Sequence, residues 1–186
     1  MAYQGFAEGI DEDAYVVGKV LAAGLSFLVA TSFSKSFSLY GERVGGLSVV
    51  TADADEAKRV MSQLKVIIRT LYSSNPTHGA AVVAHVLTDP QLRAQWEGEL
   101  GGMRERIKTM RTSLVAGLVA AGIQQDMGFI TDQVGMFSYS GLTKDQMVRL
   151  RSEFGVYGTD SGRLCIAALN DGNIDYVSQA IAAVIG

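Results

Sequence analysis

The spacing of apolar positions along the chain switches between two periods, and the switches lay out the elements. Residues 11–23 predict a helix: acidic side chains fill its first turn and Gly24 stands where a C-cap belongs. Residues 26–33 (SFLVATSF) are short and rich in β-formers, which predicts a buried strand. Residues 43–51 (RVGGLSVVT) predict a second strand, with Gly45 and Gly46 suggesting a close backbone approach. Asp53 or Asp55 then caps a helix to about Tyr72, in which Val60, Leu64, Ile67, Ile68 and Leu71 follow helical spacing. After the break at Ser73, Ser74, Asn75 and Pro76, residues 79–87 form a helix of small side chains. Residues 90–121 predict a long helix with Trp96, Leu100, Met103, Ile107, Met110, Leu114 and Leu118 on one stripe. One compact core does not need such a length, so the expectation is a helix bridging two domains. Beyond it, residues 130–140 and 163–169 read as strands, and 144–154 and 172–185 as helices.

Strands mixed with helices give the α/β class. No internal repeat or low-complexity segment interrupts the pattern. With 48% hydrophobic and 19% charged residues, 21 Gly and 2 Pro, the chain has the composition of a folded protein. A formal net charge of −3 offers no global attraction to nucleic acid or an anionic membrane. The single cysteine, Cys165, has no internal disulfide partner and reads as a small core residue. The N-terminus lacks a signal-peptide pattern, since Glu8, Asp11, Glu12 and Asp13 precede the first cation, Lys19. The longest apolar stretch, residues 22–30, is broken by Gly24 and Ser26 and is too short to span a bilayer. A cytoplasmic protein is expected.

The densest chemistry lies in residues 32–46, SFSKSFSLYGERVGG, on the connection between the first two strands. Strand ends are where open α/β sheets bind ligands. Serine hydroxyls, backbone amides and a guanidinium suit a phosphate dianion, each supplying a directed donor. A lysine beside such a phosphate is placed to form a Schiff base. On composition alone, an ordinary surface lysine is the commoner reading of Lys35, because short motifs recur by chance.

The same segment resembles the cofactor-lysine segment of fold-type I pyridoxal-phosphate aminotransferases, in their aspartate and aromatic amino-acid branch. The likeness continues through AYQGF at 2–6, RTLYSSNPTHGA at 69–80, GMFSYSGL at 135–142, EFGVYGTDSGRLCIAALN at 153–170 and the closing helix. It implies the second half of such an enzyme: 1–105 as the end of the large cofactor-binding domain with the start of the interdomain helix, and 106–186 as the small α/β C-terminal domain.

The resemblance implies a role for each matching residue. Lys35 would form the Schiff base with pyridoxal 5′-phosphate and shuttle the proton. Ser32, Ser34 and Arg43 would hold the phosphate, and Tyr3 would donate to the cofactor's phenolic oxygen. Arg163 would grip the substrate α-carboxylate, with Phe137 lining the pocket nearby. Arg69 would reach across a homodimer interface to the distal carboxylate of a dicarboxylic substrate, with Ser73 and Ser74 at the same edge. The substrates would be an aromatic or dicarboxylic amino acid and a 2-oxo acid such as 2-oxoglutarate. Read without the family, Arg69 fits a solvated helix face, Arg163 a strand boundary and Tyr3 a core aromatic. His78 and His85 have no evident third ligand for a metal, and helix packing is the better reading.

In this family the aspartate that pairs with the pyridine nitrogen would come just before Met1. The expectation is therefore a chain with little activity alone and exposed strand edges. A lyase using the same cofactor, and a non-catalytic chain that associates with a full-length aminotransferase, stay open as alternatives.

Overall fold

The computed structural model describes all 186 residues. The chain divides into two compact units, Met1–Gly101 and Gly102–Gly186.

In the first unit a 3₁₀ turn, Glu12–Ala14, leads into α1 (Tyr15–Ala22), so the helix predicted from residue 11 starts with a tighter turn. It stops at Gly24, whose φ of +68° takes the left-handed cap conformation. Strands β1 (Phe27–Ser32) and β2 (Gly45–Val50) pair antiparallel, with Phe27 opposite Val50 and Ser32 opposite Gly45. A β-carbon on Gly45 would run into the Thr31 carbonyl, which accounts for the glycine. β1 is not the buried strand predicted, and β2 is largely exposed as well. Leu28 and Leu47 stand open to solvent, because each strand has only the other as a neighbour and helices cover neither face fully.

Asp53 caps α2 (Ala54–Leu71) by accepting from the Glu56 amide at 2.7 Å. Val60 and Leu64 are half-buried, whereas Ile67, Ile68 and Leu71 are exposed. Helical spacing tells which residues share a face, not whether anything covers it. Helix α3 (His78–Thr88) follows, and then α4 (Pro90–Ala120). The Asp89 carboxylate accepts from Gln91 and Leu92 at 2.8 and 3.1 Å, and Pro90 fits the first helical turn, where no amide partner is needed.

In the second unit the α4 stripe of Ile107, Met110, Leu114 and Leu118 is buried with Met147 and Leu150 of α5 (Lys144–Phe154). Ala180, Ile181 and Val184 of α6 (Ile174–Ile185) complete the core. Thr143 and Gln146 form a reciprocal capping box on α5, and Gly155, at φ +65°, ends it. The predicted strand 130–140 shortens to β3 (Phe137–Tyr139), after a 3₁₀ turn at Gly128–Ile130. Likewise 163–169 shortens to β4 (Arg163–Cys165), followed by a 3₁₀ turn at Ile166–Ala168. The two pair antiparallel, Phe137 opposite Cys165 and Tyr139 opposite Arg163. Side chains of α4 take the carbonyls a longer ribbon would use: Arg106 donates to Ala167 and Leu169, and Arg111 to Ile130, Gly135 and Phe137. No helix is long and apolar enough to cross a membrane.

Candidate active site

The connection between β1 and β2 carries Lys35 on a short helical turn, in which the Phe37 amide donates to Phe33 and the Ser38 amide to Lys35. Aromatic packing fixes this turn. Phe37 stacks on Trp96 of α4 with ring centres 4.6 Å apart, Phe33 meets Phe37 edge-on at 5.5 Å, and the Trp96 indole donates to the Ser36 carbonyl at 2.7 Å. The ammonium of Lys35 lies 5.1 Å from the Tyr3 ring centre and 5.6 Å from that of Tyr40. Two aromatic faces thus hold the cation without a carboxylate.

Ser32 and Ser34 share a hydroxyl–hydroxyl bond of 3.1 Å, and Ser34 is buried. Arg43 turns its guanidinium back to the Tyr40 carbonyl at 2.9 Å. Both Ser38 (φ +55°) and Arg43 (φ +53°) hold left-handed backbone, a conformation that costs non-glycine residues roughly 1–2 kcal/mol each.

Tyr3 is placed by the loop that follows it. The Asp13 carboxylate accepts from the amides of Gly5, Ala7 and Glu8 at 2.7, 3.0 and 3.0 Å. Burial pushes the Asp13 carboxyl up, but the hydrogen bonds from Glu8, Ala7, Gly5 and Gly9 outweigh it and hold it below its ordinary value. Sequence reading missed Asp13 and Tyr40. An acidic residue in a helix's first turn looks like dipole compensation, and a tyrosine in a loop carries no signature.

Arg69 lies in the last turn of α2, exposed, and its Nη1 donates to the Ser73 hydroxyl at 2.9 Å. That contact is local, and Ser73 itself holds φ +62°. In the second unit, Arg163 of β4 places its guanidinium carbon 4.8 Å from the Phe137 ring centre of β3. Their strands bring them together, Phe137 lying diagonally from Arg163 across the ribbon. Arg111 lies beneath β3, 2% exposed, and burial lowers its pKa. His78 is at the surface with its Nδ1 2.9 Å from a Glu42 carboxylate oxygen, a contact between side chains in place of the expected helix packing.

The first unit thus gathers a lysine beside two tyrosine rings, paired hydroxyls and an arginine on one connection, and the second unit sets Arg163 against the Phe137 ring. The family model described as "Aminotransferase class I and II" matches residues 1–181, and the chain belongs to that family. It is 57% identical to an aspartate aminotransferase of Pseudomonas aeruginosa, over all of this chain and 46% of that protein. Identity to the aromatic-amino-acid aminotransferase of Escherichia coli K12 is 52%, again over the whole chain and 47% of that protein. The crystal structure of an aromatic-amino-acid aminotransferase from Burkholderia pseudomallei, covalently bound to pyridoxal phosphate, superposes with a TM-score of 0.96 at 60% identity, covering 100% of this chain and 46% of that one. The chain thus spans about half the length of the relatives it matches, and the resemblance read from the Lys35 segment holds at the level of family and branch.

Proposed function

We propose that this chain supplies the lysine side of a pyridoxal 5′-phosphate site for transamination between an aromatic or dicarboxylic amino acid and a 2-oxo acid such as 2-oxoglutarate. The observation that carries the reading is Lys35 seated between Tyr3 and Tyr40, on the same connection as Ser32, Ser34 and Arg43. Two hydroxyls, a guanidinium and an ammonium fit the phosphate and aldehyde of that cofactor. When bound, the cofactor supplies an aldehyde that captures amines and a ring that draws off electrons.

In this reading Ser32, Ser34 and Arg43 would hold the phosphate, and the Tyr3 hydroxyl would orient the ring by donating to its phenolic oxygen. Lys35 Nζ would be the amine that holds the cofactor's aldehyde group and the base that would move the substrate's α-proton. Arg163 binds the α-carboxylate with Phe137 behind it, and Arg69 serves the distal carboxylate across a homodimer interface. Residues 1–105 close the large domain, α4 is the interdomain helix, and 106–186 form the small domain. The chain alone is expected to turn over little, since it spans about half of its relatives.

Adding pyridoxal 5′-phosphate to the purified chain should give a lysine-linked absorbance band that is lost in Lys35→Ala. A band unchanged in that variant would overturn the assignment of Lys35. Robust amino transfer to 2-oxoglutarate by the chain alone would overturn the expectation of low activity.

A further inference from the structure

Arg111 is a buried cation with no carboxylate beside it. Its Nη1 donates to the Ile130 carbonyl at 3.2 Å and the Ser138 hydroxyl at 2.7 Å, and its Nη2 to the carbonyls of Gly135 and Phe137 at 2.6 and 2.7 Å. Burying a charge is unfavourable unless dipoles or an ion replace its water. Here three carbonyl dipoles and a hydroxyl do so, and burial still depresses the pKa.

If helix-to-loop cohesion were the only requirement, an apolar side chain of similar volume would serve the stripe between Ile107 and Leu114 at less desolvation cost. A guanidinium does something a hydrocarbon cannot. Its planar fork fixes the directions of several acceptors at once. Those acceptors all lie between Ile130 and Ser138, a stretch that has no strand partner before Phe137. From the other side Gln133 binds the same stretch, accepting from Tyr139 N and Ser138 Oγ and donating to the Tyr139 carbonyl. The Phe137 backbone is therefore held at its carbonyl by Arg111 and at the next residue's hydroxyl by Arg111 and Gln133 together. The Phe137 ring in turn lies 4.8 Å from the Arg163 guanidinium.

We propose that Arg111 is a positioning residue for Arg163: by fixing the Phe137 backbone it presents the ring on which the Arg163 guanidinium rests. The inference rests on the reading of Arg163 as the carboxylate-binding arginine. An exposed arginine has large rotamer freedom to lose on binding a ligand, and a ring held in place removes part of that loss beforehand.

Side-chain NMR of Arg163 in the isotope-labelled chain separates this role from a merely structural one. Phe137 should shift the Arg163 side-chain protons upfield. In Arg111→Lys, which keeps a cation but loses the fork, that displacement should shrink while the amide signals of α6 stay in place. Should Arg111→Lys not fold, Ser138→Ala removes one acceptor from the fork, and a smaller loss in the same direction is expected. An upfield displacement retained in whichever of these variants folds overturns the proposal. Titrating 2-oxoglutarate gives the second arm. Arg111→Lys should weaken the response at Arg163 about tenfold, equivalent to ~1.4 kcal/mol. An Arg163 signal that ignores 2-oxoglutarate in the unsubstituted chain defeats the carboxylate reading, and the ring-current comparison still decides on Arg111.

Discussion

The ammonium of Lys35 lies 5.1 Å from the centre of the Tyr3 ring and 5.6 Å from that of Tyr40. A cation–π contact at a partly exposed position contributes roughly 0.5–1 kcal/mol, or about two- to fivefold in an equilibrium. Replacing Tyr3 with Leu should therefore speed acylation of Lys35, as followed by mass spectrometry, by that factor, while Lys65 on exposed α2 reacts unchanged. Equal rates at Lys35 in both proteins would show that Tyr3 does not shelter it.

Asp13 gives the loop behind Tyr3 a pH dependence whose sign follows from its hydrogen bonds. They hold the carboxyl below its ordinary value of 3.8. A depressed folded-state pKa means stabilisation that is fully present above 3.8 and is lost as pH falls through the lower folded-state value. The amide signals of Gly5, Ala7 and Glu8 should thus titrate together with a midpoint under 3.8, and Asp13→Asn should abolish that transition. A midpoint above 3.8 would mean the three amides do not grip the carboxylate.

Much of this was legible in the sequence where one local rule decides the outcome. Residues 144–154 read as a helix and α5 takes those bounds, because Thr143 and Gln146 form a capping box at one end and Gly155 a left-handed stop at the other. The Lys35 segment was legible through a family likeness and not through physics, since serines around a lysine also suit a solvated loop. Tertiary partners were not legible. The spacing of Ile67, Ile68 and Leu71 groups them on one face but does not say that the face is uncovered. Residues 130–140 read as a strand, yet Arg111 takes three of the carbonyls around them and leaves only a three-residue ribbon. One clue was present: Arg111 falls four residues after Ile107 and three before Leu114, a charge on an apolar stripe that demands buried acceptors.

Two glycines to alanine should move stability in opposite directions. A β-carbon at Gly158 would lie 2.8 Å from the Arg163 carbonyl oxygen and 2.7 Å from Leu164 Cδ2, so β4 must shift. Overpacking of this kind costs about 1–3 kcal/mol. Gly98, inside α4, has nothing within 4 Å of such a carbon, and alanine there should add roughly 0.5–1 kcal/mol from helix propensity alone. Denaturant melts of the two variants test the pair. A neutral Gly158→Ala would show that the turn ahead of β4 has room to yield.

Arg43 joins backbone strain to ligand chemistry, and two substitutions separate them. Its φ of +53° is tolerated by glycine and disfavoured for any residue with a β-carbon. Arg43→Gly should therefore be more stable than Arg43→Ala by about 1 kcal/mol, the left-handed penalty less glycine's greater freedom in the unfolded chain. Both variants remove the guanidinium, and both should lose affinity for pyridoxal 5′-phosphate to the same degree, since the proposed charged donor to the phosphate disappears in each. Thermal melts read the first difference and a spectroscopic titration with pyridoxal 5′-phosphate the second. If alanine were as stable as glycine, the strain would be absent. If glycine kept the affinity, the phosphate would be held by Ser32, Ser34 and backbone amides without Arg43. The expected pattern, with stability divided and affinity lost alike, identifies a residue kept in a costly conformation for what its side chain binds.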